Sequence, residues 1–191
     1  MISELDERVR ALESLLANVV RVGVVVSTDP AAHTVRVTFG DRDNIVSNPL
    51  PVLAPKAHRD KFYRLPDVGE QVLCVFLPSG VEQGFAIGAF YSRADATPAA
   101  SQDKHVVQYA DGTRTEYDRA SHTMRVLIGD TAATLDRDKI LFTAGGVQVL
   151  LDGTGLHTTG GGVTHNGVNI GDTHAHSGVQ SGGDNTGGPV V

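Results

Sequence analysis

Two histidines near the carboxyl end of the chain, His174 and His176, have the residue type and spacing that best suit metal chemistry. Residues i and i+2 of an extended strand project to the same side, so both imidazoles would face one point. One pair supplies two nitrogens, whereas three copies around a threefold axis would supply six, enough for one octahedral transition metal ion. Such an all-nitrogen site suits iron, nickel or cobalt better than zinc, which usually takes four ligands. The motif alone is a weak signal, because solvated histidines give the same pattern, so its meaning depends on the elements that position it.

A β-rich segment, residues 104–171, precedes the histidines. Apolar residues alternate within its segments, which predicts short strands at 105–109, 114–118, 123–128, 133–136, 139–143 and 147–151, separated by turns such as Asp111-Gly112-Thr113. A monomer would leave the apolar face and the strand edges of this segment uncovered. Three chains wrapped around a common axis, with strands pairing between chains, would cover both. The sequence therefore predicts an intertwined trimeric β-helix with a metal-capped tip, the tip being the glycine-rich segment 172–191.

The amino-terminal part of the chain has a different pattern of apolar residues. Residues 1–19 predict a short helix whose apolar residues follow the 3-4 spacing of a coiled coil, and packing against its own domain is the alternative. Residues 20–92 predict about five short antiparallel strands, which fit a small OB-fold barrel. Residues 93–103 are rich in Ser, Ala, Asp, Thr and Pro and predict a linker. The fold class is thus mainly β, with one helix, a barrel, a stem and an apex.

The composition excludes several classes of protein. The 191-residue chain has a net charge of −6, which argues against general nucleic-acid binding, because phosphate contacts need Lys and Arg. Its one cysteine, Cys74, lies in an apolar run and predicts a buried thiol rather than an internal disulfide. The first residues are acidic rather than basic, so no secretory signal is predicted and synthesis in the cytoplasm is expected. We also expect no membrane span.

Three segments of the sequence carry a resemblance to a known family. Residues 65–76, continuing through 78–80 and 84–91, look like a barrel signature; residues 109–118 are typical of the start of a β-helix; and Thr173-His174-Ala175-His176 stands near the end. Together they resemble the phage baseplate assembly protein V family, the central spikes of Mu-like contractile phages.

That resemblance implies the function and the partners. It implies a homotrimeric needle in the virion, below the tail tube, in contact with tube and baseplate proteins. One iron ion per trimer would be held by His174 and His176 of each chain. Sheath contraction would drive the needle through the host outer membrane, a mechanical and transient contact.

Three other functions compete with this interpretation. An enzyme is disfavoured, because no catalytic constellation, cofactor-binding fingerprint or small-molecule site is recognisable. An OB-fold nucleic-acid-binding module would need a basic groove lined with aromatic residues, which the segment 20–92 does not offer. A trimeric receptor-binding tail fibre remains an alternative, because it shares the β stem and the trimer, although the short glycine-rich end offers little surface for a receptor.

Overall fold

A computed structural model describes residues 2–40, 44–77, 83–175, 177, 178 and 182, without the side chains of residues 2 and 3. The chain divides into two compact units, one up to Thr97 and one from Pro98. The division falls inside the segment predicted as a linker, and no helix or strand is assigned between Ala89 and Lys104. The finer domain boundaries remain predictions.

The chain begins with the predicted helix, α1, Ile2–Val19. Every described side chain from residue 4 to residue 17 is exposed, and these include the apolar heptad residues Leu5, Val9, Leu12 and Leu16. The alternative in which the helix packs on its own domain is therefore wrong for this stripe. No helix within the described ranges combines the length and the apolar character needed to cross a membrane.

The rest of the first unit is a barrel-like antiparallel sheet with strand order β3-β2-β1-β5-β6, in which β4 also pairs with β2. After β4, the backbone N–H of Leu53 donates to the carbonyl of Ala86 in β6, and Val52 forms a parallel bridge with Ala86. These contacts bring the two ends of the sheet together. The strands are β1 Val20–Asp29, β2 Thr34–Phe39, β3 Ile45–Val46, β4 Leu50–Pro51, β5 Gln71–Phe76 and β6 Gly84–Ala89.

Alternation along these strands builds the core of the first unit. The buried residues of β1, β2 and β5 fall at every second position, which is the pattern of strands with one face inside. Cys74 is fully buried as predicted, and burial raises the pKa of its thiol to about 11. The core consists of Val25, Val35, Val37, Phe39, Leu50, Val52, Val72, Cys74, Phe76 and Ala86.

Gly23 in β1 marks a close approach of two strands. A Cβ atom at this position would lie 2.5 Å from the carbonyl oxygen of Thr38 and 2.9 Å from Cδ1 of Phe39, and would also meet Val37. Because a backbone oxygen cannot move aside cheaply, we expect Gly23→Ala to lower the free energy of unfolding by about 2 kcal/mol.

Gly88→Ala is the matched control for Gly23→Ala, since Gly88 lies in a strand of the same sheet and a Cβ there meets nothing within 4 Å. Urea unfolding of both variants checks the expectation. Equal midpoints for the two variants would contradict the close approach at Gly23.

The second unit is a seven-stranded antiparallel meander in which every strand pairs with the next one along the chain. Six of the strands match the predicted segments within two residues; the seventh, β13, was not predicted. A separate two-stranded hairpin, β14 and β15, follows. The strands are β7 Lys104–Gln108, β8 Arg114–Asp118, β9 Thr123–Ile128, β10 Thr131–Leu135, β11 Lys139–Ala144, β12 Val147–Asp152, β13 Gly155–Thr159, β14 Thr164–His165 and β15 Val168–Asn169.

This meander corrects one part of the prediction. Hydrogen bonding between chains was expected along the stem, but β8 to β12 have both edges occupied by strands of the same chain. Local antiparallel pairing through tight turns closes only short loops, so it costs less chain entropy than pairing with a distant or separate strand. In the meander, only the outer edges of β7 and β13 are available to another chain.

Candidate stem and apex metal site

The register of the meander collects most of its large apolar side chains on one face. Val126 in β9 pairs with Ala133, Ala133 with Phe142, and Phe142 with Val149 in β12. Directly opposed residues of antiparallel strands project to the same side. The alternating residues of β9 and β12 therefore belong to one continuous surface, which we call the apolar face: Tyr117, Met124, Val126, Ile128, Ala133, Leu135, Ile140, Phe142, Val147, Val149, Leu151 and Leu156.

The apolar face is exposed in a single chain. Phe142 is 52% exposed, Ile128 is 58% exposed and Leu156 is 67% exposed. Single exposed apolar residues are common on soluble proteins, but a contiguous apolar surface across several strands marks an interaction site. Among the described residues, all the buried hydrophobic side chains lie in the first unit. The apolar side chains of the second unit therefore lie at its surface.

The opposite face of the meander carries charge at its amino-terminal end. Lys104 Nζ lies 2.6 Å from Glu116 Oε1, and the Arg114 guanidinium donates to Glu116 Oε2. Arg114 also donates to the side-chain oxygen of Gln108 at 3.1 Å and to the carbonyl of Pro98 at 3.2 Å. Hydrogen bonds from Lys104 and Arg114 hold the pKa of Glu116 below its usual value. This end of the opposite face therefore suits contact with water, whereas farther along the same face carries Leu127, Leu141 and Leu150.

The recurring Asp-Gly-Thr turns fix the register of the meander. In one turn the backbone N–H of Thr113 donates to Asp111 Oδ1 at 2.9 Å, and Gly112 has the positive φ of 86° that the turn requires. In another, the hydroxyl of Thr154 donates to Asp152 at 2.6 Å. These hydrogen bonds lower the pKa of both aspartates, mainly through the Thr113 N–H at Asp111 and the Thr154 hydroxyl at Asp152.

The hairpin of β14 and β15 leads to the predicted metal site. Its turn residues Asn166 and Gly167 have φ values of 49° and 79°, the positive values of a tight two-residue hairpin turn. Beyond it, the N–H of Ile170 donates to the carbonyl of Val163 at 2.8 Å. Sequence reasoning missed this hairpin, and the Asn-Gly pair is the signal that would have found it.

His174 follows a turn that its own side chain helps to fix. The N–H of Gly171 donates to Asn169 Oδ1 at 2.9 Å, and the Asn169 amide donates to the Thr173 hydroxyl at 3.0 Å. The ring Nδ1 of His174 lies 2.6 Å from the carbonyl oxygen of Gly171. Since a carbonyl only accepts, Nδ1 carries the proton, and in the neutral ring the lone pair is on Nε2. A hydrogen bond of this kind from the second ring nitrogen is usual for histidines that bind metals.

The predicted partner of His174 lies outside the described residues. His176 is the second candidate ligand, and the shared direction of the two rings stays a prediction. No strand is assigned at residues 174 and 175, so the extended geometry expected there is not seen in the described part. Among the described residues of one chain, no group of three His, Cys, Asp or Glu side chains converges as a metal site would require.

Two other histidines of the second unit have local partners. His157 Nε2 lies 2.8 Å from the Thr154 hydroxyl and 3.4 Å from Asp152, and His165 Nε2 lies 3.3 Å from the side-chain nitrogen of Asn166. Neither contact indicates a metal site.

Comparisons with known proteins give matches for the barrel of the first unit and for the apex. Residues 21–91 match the family described as the Type VI secretion system/phage-baseplate injector OB domain. Residues 172–190 match the GpV apex motif. The spike protein of Escherichia phage P2 is 28% identical over 211 aligned residues, which cover 95% of this chain and 97% of that protein.

These three matches support the assignment of the chain as a central spike of a contractile phage tail. The resemblance seen in the sequence is thus confirmed, as are the OB fold and the mainly β class. These similarities indicate a structural component of a phage tail. Within this spike protein, the apex match begins at Asp172 and contains both candidate metal ligands, His174 and His176.

Proposed function

We propose that this chain, a central spike of a contractile phage tail, acts as a homotrimer that pierces the host outer membrane when the sheath contracts. Its function would be mechanical, with no catalytic residues and no small-molecule substrate. Assembly would take place in the host cytoplasm, and tail tube and baseplate proteins would be the permanent partners. The net charge of −6 disfavours nucleic acid as a partner.

The apolar face of the meander is the observation that carries this proposal. Three copies of a sheet whose large apolar side chains lie mostly on one face can enclose that face around an axis and leave Glu116 and its partners, on the opposite face, in water. Closing three sheets on one another removes the exposed apolar surface, which is a large favourable term in assembly. The hydrogen bonds of β8 to β12 then remain within each chain, so the trimer would be held mainly by side-chain packing.

The residues of the apex fit an iron ion. His174 Nδ1 donates a hydrogen bond to the Gly171 carbonyl, so the lone pair of the neutral ring is on Nε2. With His176, three chains would supply six imidazole nitrogens, the donor set of an octahedral transition metal site. The ion would supply a cross-link: it would join three chain ends that would otherwise fray. The cross-link would stabilise the apex, which is the first part of the spike to bear the force when the sheath contracts.

The size and metal content of the purified, untagged protein test the proposal together. We expect a sedimenting species of three chains that contains about one iron per three chains, since only a site shared by three copies gives that ratio. A monomer would overturn the homotrimer. A trimer that holds no metal after growth in iron-rich medium would overturn the iron site and leave the homotrimer standing.

A further inference from the structure

The apolar stripe of α1 is uncovered in the chain. Leu5, Leu12 and Leu16 are 60%, 64% and 77% exposed, and Val9 is 44% exposed. These four residues lie on one side of the helix, at alternating spacings of four, three and four residues, which is the a and d seam of a coiled coil. An 18-residue helix with such a seam is marginal as an isolated element, so its stability depends on what covers the seam.

The charges that flank the seam identify the partner and its direction. With Val9 at position a and Leu12 at position d, Arg8 takes position g and Glu13 takes position e. In parallel, in-register helices, a g residue lies beside the e residue five positions later in the neighbouring chain. Arg8 of one chain would therefore meet Glu13 of another, a pair of opposite charges.

An antiparallel arrangement gives the opposite result. There, e residues lie beside e residues and g residues beside g residues. Asp6 and Glu13, both at position e, would then meet as like charges, which is destabilising, and Arg8 would lie opposite Leu15. The pattern of charges therefore selects a second copy of the same helix, and it selects the parallel orientation.

We infer that α1 associates with α1 of the other chains as a parallel, in-register coiled coil, held by the Leu5–Val9–Leu12–Leu16 seam and oriented by Arg8–Glu13 pairs between chains. The number of chains, three, rests on the proposed function; the seam and the orientation do not. Tethering to an assembled stem raises the effective concentration of the helices to about the millimolar range, which would favour association of a seam of fewer than three heptads.

Cysteine cross-linking in the full chain tests the seam. Leu12→Cys places equivalent thiols side by side in a parallel coiled coil, whereas in the antiparallel form residue 12 faces residue 9. The native Cys74 is buried and does not compete. Under mild oxidation we expect Leu12→Cys to give covalently linked pairs of chains on a non-reducing gel. Ser14→Cys, on the outer side of the same helix, is the matched control and should give few such pairs.

Charge reversal tests the orientation. In the Leu12→Cys background, Arg8→Glu and Glu13→Arg should each slow cross-linking by about two- to fivefold, because each puts like charges together. The combined variant should recover most of the original rate, since it restores opposite charges. Failure of the combined variant to recover would overturn the parallel pairing.

The two proposals fail in different ways. A full-length protein that sediments as a trimer but gives no Leu12→Cys cross-link would overturn the coiled coil and leave the spike trimer intact. A protein that cross-links through Leu12→Cys but forms only dimers would support the helix pairing and overturn the threefold assembly.

Discussion

Replacing Phe142 by aspartate is expected to prevent the chains from assembling, with loss of the trimer at micromolar concentration. Phe142 lies in the middle of the apolar face, with Ala133 and Val149 as its cross-strand neighbours. Removing a large buried aromatic side chain costs about 3–5 kcal/mol, and a buried unpaired carboxylate adds several kcal/mol more. A trimer contains this substitution three times. Sedimentation velocity of the purified variant is the measurement.

The control for this variant is the next residue along the strand. Thr143 lies on the opposite face, paired with Ala132 and Gln148, so Thr143→Asp puts the same charge on the side expected to face water. We expect Thr143→Asp to remain trimeric, with a small change in melting temperature. If Phe142→Asp also remained trimeric with an unchanged melting temperature, the apolar face would not be the interior of the assembly.

The second large effect is expected at the apex. The double variant His174→Ala/His176→Ala should lose its iron to background level, because it removes all six nitrogens of the proposed site. The stem should stay trimeric, since the apolar face is unchanged. Amide exchange should become faster near residues 163–175, where the chain would no longer be tied at its end. Elemental analysis and hydrogen exchange measure the two effects.

A matched double variant separates ligand loss from a general effect of removing histidines. His157→Ala/His165→Ala removes two histidines of the same unit whose ring nitrogens contact Thr154 and Asn166 within the chain. This control should keep about one iron per three chains. Full iron content in His174→Ala/His176→Ala would show that the metal binds elsewhere, and loss of the trimer in that variant would show that the metal, and not the apolar face, holds the stem together.

The sequence by itself determined most of the local structure. Alternation at Met124, Val126 and Ile128 predicted β9, and the heptad spacing of Leu5, Val9 and Leu12 predicted α1, because side-chain periodicity directly reflects strand and helix geometry. The barrel signature and the His174-x-His176 motif also indicated a resemblance to the central spikes.

Only the tertiary structure decided which strands are partners. Period-2 alternation says which side of a strand is apolar, but every strand edge offers the same N–H and C=O groups, so the pattern cannot tell pairing within a chain from pairing between chains. The structure joins the apolar residues of β9 and β12 into one face through Ala133 and Phe142. It also makes Gly155–Thr159 a strand, although that segment has little alternation, because the open edge of β12 supplies its hydrogen bonds.

The same limit applies to the candidate site. The spacing of His174 and His176 suggested a metal, but the bond from His174 Nδ1 to the Gly171 carbonyl depends on the turn held by Asn169. Likewise, Gly23 gives no signal in the sequence, and only the approach of β2 shows why a side chain cannot fit there. Sequence periodicity fixes what each segment presents, whereas distances between segments arise from packing, and those distances decide which groups can meet.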